Sequence, residues 1–567
     1  MSEHQDAAEF LGDEGGGWRI EPDVDLQKKV GFYESCDPGA CPVYSVGRVT
    51  PALWKEIVDD GHHRLACDAP KPDNINSVVA RSLAHMLDNP HIRIPDRPGL
   101  CWGLLEGTRP LANEGSTGIG IYAMYSCCFT VLAYRMLYHD TGDARYLRRL
   151  EPLMEFLYDT PVRNQSPPEL AGSFWSMENL VNGRASYVDQ GYRPFLWSHA
   201  TMWIVAQIAN SHAFHADPRD VGPIGQAVDW LLRTQREDGS WPVYWHESGG
   251  KWLPTDEYCG DAWWAIMGLI RASEVGRVSG DTAERCVDQA LKGARFLMEN
   301  QVSDLQYRGS FEDVFGPIDS YCPSVACWVM VRLYEMTRDE RYLDEARRAM
   351  VWMASWIRHE PVPWLLLESV GCQVAGTSST AMMSLAASSL LRHDDSPHWR
   401  KTAAAMSYLA FAQRTDPDDP MYGGFDWLAE RDPAKAVYAP EWQNCQLIWA
   451  SRETLINRAC RHPRIDIYPD HCGMAFGDRI ERVSLEWPGL DCDPVVDYLV
   501  LIGPDRSYIV LMNDDGGVSS VRLRVPEGGV FRVANSRHRL PSGEQSIAVR
   551  SRMVVVSVET SGKECRQ

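Results

Sequence analysis

Six stretches of this 567-residue chain are apolar on nearly every helical face, and each follows a long, polar, aromatic-rich segment. They begin near Thr117 ("STGIGIYAMYSCCFTVLAY"), His199 ("WSHATMWIVAQIA"), Asp261, Pro323, Ser378 ("TSSTAMMSLAASSLL") and Gln443 ("EWQNCQLIWASRETL"). A helix without a polar face must be buried all round, so these six belong to an inner layer that other helices cover. The intervening stretches "ARYLRRLEPLMEFLYD", "IGQAVDWLLRTQ", "TAERCVDQALKGARFLMENQ", "RYLDEARRAMVWMASWIRH" and "WRKTAAAMSYLAFAQ" are amphipathic and suit that outer layer.

The punctuation repeats as well. In "RTQREDGSWPVYW", Arg233–Trp245, the Asp238-Gly239 turn stops a helix, because glycine takes a positive φ at little steric cost. Gln301 stands likewise before Asp304, Gly309 and Phe311, and Gln413 before Asp416, Gly423, Gly424 and Phe425. "YHDTGDARYL" and "YEMTRDERYL" share a helix end, a short turn and a helix start. "DEYCGDAWWAIMGL" from Asp256 and "DSYCPSVACWVMVRL" from Asp319 recur at a period of about 63 residues, too long for a bare solenoid hairpin unless long loops decorate it. Short turns on one side and long loops on the other therefore join alternating inner and outer helices.

After about residue 463 the pattern changes to short β-branched runs separated by Gly, Pro, Asn and Asp, roughly eight strands that read as a small antiparallel β-sandwich. Residues 1–100 carry one clear helix, "INSVVARSLAHMLDN", and are expected to pack on the helical part as an extension. The organisation expected is an N-terminal extension over 1–100, a catalytic helical domain over 101–462 and a β-sandwich over 463–567. Six inner and six outer helices followed by such a sandwich resemble the (α/α)6 toroid of glycoside hydrolases and polysaccharide lyases. The resemblance is architectural and covers roughly residues 100–560. It implies a carbohydrate-active enzyme and transfers no catalytic residue by motif.

Composition narrows the partners. A formal net charge of −21 weighs against nucleic acid and anionic membrane, and leaves small neutral substrates open. No segment approaches the roughly 18 apolar residues of a membrane span, and "MSEHQDAAEFLGDEGGGW" is acidic where a signal peptide is basic and then apolar, so a cytoplasmic location is expected. Several of the 16 cysteines (Cys127, Cys128, Cys259, Cys327, Cys445) sit inside apolar helical stretches, as reduced core thiols do. His62, His63 and Cys67, or His471 and Cys472, lack zinc-site spacing. No metal or cofactor is expected. The partner is an oligosaccharide substrate, and a homo-oligomer is compatible with the sequence.

The 21 tryptophans are an excess that needs a use, since many lie in or near turns. They either plug the gaps between helix termini or form stacking platforms for sugar rings. Glycoside hydrolysis needs two carboxyl groups facing the sugar, one protonated toward the leaving oxygen and one ionised. Long loops and inner-helix starts offer Glu114, Glu178, Asp189, Asp256, Glu257, Asp319, Glu368 and Glu441. Each could instead cap a helix. Asp256, Glu257 and Glu441 are preferred because Tyr or Trp flanks them, and desolvation there can hold a proton near neutral pH. Trp175, Glu178, Trp252, Tyr321, Trp442 and Arg193 are the expected substrate contacts.

Two other enzymatic readings compete. A lyase would neutralise a uronate carboxylate and abstract the adjacent proton, work for His199, Tyr258 or Tyr321 with Arg184 or Arg193 nearby. "TQREDGSW" fits the Gln-Trp motif of triterpene cyclases, and Asp416, Asp418 and Asp419 in "DPDD" fit the aspartate signature of class II terpene cyclases, although those enzymes pair two helical barrels. A sugar-binding toroid without catalysis is the remaining possibility. Hydrolysis is the reading preferred.

Overall fold

The computed structural model describes residues 71–88, 120–158 and most of 168–559, the principal exceptions being 189–194, 247–250, 253–259, 308–320, 359–363, 367–374 and 430–440. Twelve α-helices occur among the described residues: α1 (Ile75–Asp88), α2 (Met124–Thr141), α3 (Ala144–Tyr158), α4 (Ser198–His212), α5 (Val221–Thr234), α6 (Ala262–Glu274), α7 (Asp281–Glu299), α8 (Tyr321–Thr337), α9 (Glu340–Ala354), α10 (Thr377–Leu390), α11 (Pro397–Ala404) and α12 (Glu441–Ala459).

The even-numbered helices from α2 to α12 are the six apolar ones. Each packs on the next, and α12 closes the ring against α2. Helices α3, α5, α7, α9 and α11 each lie against the inner helix that precedes them. The sixth outer place is taken by α1, which packs on α12, so a helix from the start of the chain covers an inner helix near its end. The result is an (α/α)6 toroid. Every residue of α4 and of α10 is buried, as helices enclosed on all sides require.

The paired hairpin sequences form matching turns. Gly142 (φ 74°) and Arg338 (φ 58°) both take the left-handed position after an inner helix, with their N–H groups bonded at 2.7 Å to Tyr138 and Tyr334 carbonyls. Thr141 and Thr337 donate to the carbonyls four residues back, and Asp143 and Asp339 accept from the N–H groups of Arg145 and Arg341. Two boundaries differ from expectation. "GIYA" (Gly120–Ala123) is a strand paired with Met177–Val181, which delays α2 to Met124, because the glycine-interrupted start favours extended backbone. The outer helix from Pro397 passes at Ala405 into a 3-10 helix, Ala405–Ala412.

The β region is antiparallel throughout. Ile465–Ile467, Gly473–Ala475 and Asp478–Ile480 form a three-stranded sheet, and seven later strands form another. "SYIVLMN" and "SSVRLRV", expected as separate strands, belong to one strand, Arg506–Val525, and "QSIAVR" and "RMVVVSVET" to its partner, Gly543–Glu559. The "NDDGG" between the first two is not a chain reversal. It is a register shift between Asn513 and Val518, where extra residues bend a strand without ending it. Tyr508, Val510 and Met512 join the toroid core, while the alternate residues Ile509 and Leu511 join Val521, Leu523 and Phe531 in a second core.

The outer ring is stitched by the glutamines of the punctuation motif. Gln235 Nε2 donates to the carbonyls of Gly239 and, on the neighbouring outer helix, Gln289, both at 2.9 Å. Trp241 donates from its indole to the Leu231 carbonyl, and Gly293 leaves room for its ring. Gln413 Nε2 donates to the Val78 carbonyl on α1 at 2.9 Å and its Oε1 accepts from Arg81. Gln235 with Trp241, and Gln413, thus end an outer helix and tie it to the next.

Candidate active site at the N-terminal end of the inner ring

The inner helices α2 to α10 run in the same direction, since each is left by a short connection to its outer partner, and α12 joins them, since it is reached like them by a longer segment from the outer layer. Their N-termini meet at one end of the axis. Helical spacing gives an axis-facing stripe of His199, Trp203, Gln207 and Asn210 on α4, and of Gln443, Gln446, Trp449 and Glu453 on α12. On α12 the stripe passes from neutral amides, through Trp449, to the charged Glu453, and on α4 from His199, through Trp203, to the amides of Gln207 and Asn210.

Tyr321, the first residue of α8, is the hub of the N-terminal end. Its ring stacks on Trp203 with centroids 5.4 Å apart and an interplanar angle of 23°, and lies 6.5 Å from Trp264. Its hydroxyl accepts from Gln446 Nε2 at 3.1 Å, joining α8 to α12 across the ring although the two are not neighbours. Burial, then the charge of Asp261, hold the Tyr321 phenol well above its ordinary value, with the Gln446 bond opposing. It keeps its proton at neutral pH. His199 meets Trp203 edge-on at 6.2 Å, and burial pushes its imidazole down to about 3, so it is neutral.

Asp261 occupies the N-cap position of α6, yet its side chain does not cap that helix. It is buried, and its Oδ1 accepts from Cys322 Sγ at 3.4 Å. The carboxyl leaves the helix cap unused and reaches the start of α8.

Several buried polar atoms near this end have no hydrogen-bond partner among the described residues: both amide atoms of Gln443 and Asn444, the Oε1 of Gln446, the Oγ of Ser378 and the indole N–H of Trp264, with both amide atoms of Gln207 one turn beyond Trp203. Phe129, Trp203, Trp264, Trp328 and Trp449 form the aromatic layer below, with successive centroid distances of 5.4–6.1 Å. At the far end an approximately 90 Å³ cavity is lined by Asn210, Arg271, Arg332, Glu335, Arg392 and Glu453. Its arginines pair with Glu274 and Glu335 at inner-helix C-termini, where cations compensate exposed carbonyls.

The expected site residues divide three ways. His199 and Tyr321 are brought together through Trp203. Glu441 and Trp442 open α12, one turn before Gln446. Glu178 lies on a strand opposite Tyr122 just ahead of α2, and Trp252 on a strand opposite Trp245, in the small sheet whose first strand, Phe195–Trp197, runs into α4. Asp256, Glu257, Tyr258, Asp319, Glu368, Trp175 and Arg193 lie outside the described residues, as do Glu114 and Asp189. Arg184 is on the strand Arg184–Val188.

Sequence reasoning missed Asp261, Gln443, Gln446 and Trp264. The signal was there in amides and a carboxyl on inner helices that are otherwise apolar. The "DPDD" aspartates have an ordinary use: Asp416 Oδ1 accepts from the Asp418 N–H at 3.0 Å in an Asx turn, and Asp419 pairs with Arg414. Among the described residues no group of three or more His, Cys, Asp or Glu could hold a metal ion. Among them, too, no helix is long and apolar enough to cross a membrane.

No protein-family model matches the chain, and no curated protein matches it. Among solved structures it is similar to a D-mannose isomerase, at 11% identity over 67% of this chain and 97% of that one, with a TM-score of 0.52. It is also similar to a cellobiose 2-epimerase from Spirochaeta thermophila (11% identity, 71% and 98% covered, TM-score 0.49) and to a family 76 glycoside hydrolase from a bovine Bacteroides thetaiotaomicron strain (12%, 68% and 78%, TM-score 0.46). The structures it resembles are α/α-toroid carbohydrate-active enzymes, and at these identities the likeness is one of fold.

Proposed function

We propose that this protein is a carbohydrate-active enzyme whose substrate sits against Tyr321 at the N-terminal end of the inner ring, and that it hydrolyses a glycosidic bond. The observation that carries this reading is the convergence at Tyr321 of stacked aromatic rings, a buried carboxyl that does not cap its helix, and an amide reaching across the axis. Aromatic faces hold a sugar ring, and amides bond its hydroxyls. Asp261 is one of the two carboxyl groups hydrolysis requires, and the other comes from Asp256, Glu257, Asp319, Glu368 or Glu441. Trp175, Glu178, Trp252, Trp442 and Arg193 complete the substrate contacts in this reading.

A second reading, isomerisation or epimerisation of a free sugar, is favoured by His199. His199 and Tyr321 flank the same Trp203 ring, as a base and a hydrogen-bond donor to a sugar carbonyl would, and proton abstraction here requires the bound substrate to raise the buried imidazole from about 3. The D-mannose isomerase with a similar fold supports keeping it. The test is incubation of the full chain with neutral oligosaccharides, free sugars including D-mannose, and uronic-acid oligosaccharides. Released reducing ends establish hydrolysis, and a ketose or epimer establishes the second reading. An ultraviolet-absorbing unsaturated uronate establishes a lyase, and no change in any substrate overturns the carbohydrate assignment.

A further inference from the structure

Resting on the carbohydrate reading above, we propose that Gln443 and Gln446 of α12, with Ser378 of α10 and the indole of Trp264, form a subsite for the hydroxyl groups of a neutral sugar, and that this subsite rejects uronic acids. Gln443 and Gln446 are one helical turn apart on the same face, and Gln446 is fixed toward the axis by its bond to Tyr321. Ser378 shares a face with Ser389, three turns along α10, which lines the axial cavity at the other end. Trp264 packs against Tyr321 itself. All four residues are at least nine-tenths buried.

The chemistry of their unpartnered atoms selects the ligand. Gln443 Nε2 and Trp264 Nε1 are donors, Gln443 Oε1 and Gln446 Oε1 are acceptors, and Ser378 Oγ is both. A sugar hydroxyl donates one bond and accepts others, so a set of hydroxyls satisfies both kinds. A carboxylate only accepts. Where the hydroxyl that a carboxylate replaces meets one of the amide oxygens, that oxygen is left unmet, and the added charge is set near Asp261, whose proximity to Tyr321 already raises the phenol. Leaving a buried polar group unpaired is what lets a site reject an analogue lacking its hydroxyl, by as much as about 10⁴-fold in favourable cases. A uronate at a site that serves hydroxyls meets the same penalty.

The test is direct binding, by calorimetry on the full chain, of methyl β-D-glucopyranoside, methyl α-D-mannopyranoside, methyl β-D-galactopyranoside and methyl β-D-glucuronide. The expected result is that at least one neutral glycoside binds and that the glucuronide binds at least about 100-fold more weakly. Gln443→Leu and Gln446→Leu are each expected to weaken the neutral glycoside about 10- to 100-fold; Gln443→Leu leaves the melting temperature unchanged or higher, because it removes buried polar atoms without partners, whereas Gln446→Leu lowers it through loss of the bond to Tyr321. Glucuronide binding as tight as, or tighter than, every neutral glycoside overturns the subsite and leaves the carbohydrate reading intact. Neutral binding unchanged in both variants also overturns it, since the amides then do not meet the sugar. Binding of none of the four overturns both.

Discussion

Arg458 Nη1 lies 2.6 Å from Asp497 Oδ2 with both side chains wholly excluded from solvent, so the last turn of the inner ring and the seven-stranded sheet are joined by a buried ion pair. Asp497 also accepts from Lys71 Nζ at 2.8 Å and, through its other oxygen, from the Ile75 N–H at the start of α1. One carboxylate thus holds three segments distant in sequence. Asp497→Ala leaves two cations buried without it and is expected to lower stability by about 3–5 kcal/mol. Denaturant unfolding of the two proteins measures it.

Acid acts in two windows. Burial pushes His85 down to about 4 and His199 to about 3, so between the ordinary value of 6.5 and those values the unfolded chain binds more protons than the folded one. Stability is therefore expected to fall as pH drops below 6.5, by about 1.4 kcal/mol per pH unit for each histidine. A His199→Gln variant should show a shallower slope of melting temperature against pH over this range.

The second window lies lower. Burial alone would raise Asp497 and Asp514, but Lys71 and Arg458 at the first, and Arg458 and Arg461 at the second, outweigh it and hold both below 3.8. Their stabilising contribution is complete above the unfolded value and is lost as pH falls through the folded one. A further loss of stability is expected below about pH 4. It should persist in His199→Gln, which separates the two causes.

Asp261→Asn separates a catalytic acid from a cap. Because Asp261 does not cap α6, the change is expected to shift the melting temperature little while turnover of the substrate found by the panel falls about 10²- to 10⁴-fold. The same pair of measurements on Asp256→Asn, Glu257→Gln and Glu441→Gln identifies the second carboxyl. A stability loss of about 1 kcal/mol with turnover unchanged would mark any of them as a helix cap.

Gly423→Ala tests the stitching of α1 into the outer ring. Gly423 has φ 82°, and a Cβ there would lie 2.0 Å from the Arg81 carbonyl oxygen, which neither a rotamer change nor a side-chain shift can relieve. The variant is expected to lose about 3 kcal/mol or more, a value reserved for changes that force backbone apart. Gly142→Ala, with open space around it, should lose only about 1 kcal/mol through its positive φ. Thermal melts of both establish the ranking.

The sequence by itself determined the ring. Helices apolar on every face, as in "TSSTAMMSLAASSLL", can only be enclosed, and amphipathic helices between them can only do the enclosing. It determined the matching turns at Gly142 and Arg338 for the same local reason, since Thr, Asp and Arg in register make the same hydrogen bonds in both. Periodicity does not reach across the ring. That α1 would fill the sixth outer place, that "NDDGG" would bend a strand and not reverse it, and that Asp497 would meet Lys71 and Arg458 all depend on contacts between segments far apart in the chain. So does the site. His199 and Tyr321 could be named from their places at helix starts, but Asp261 reads as an ordinary N-cap, and Gln443 and Gln446 as polar residues on one helix. Only closure of the ring, which buries those groups together and sets Gln446 against the Tyr321 hydroxyl, gives them a common direction and a common chemistry.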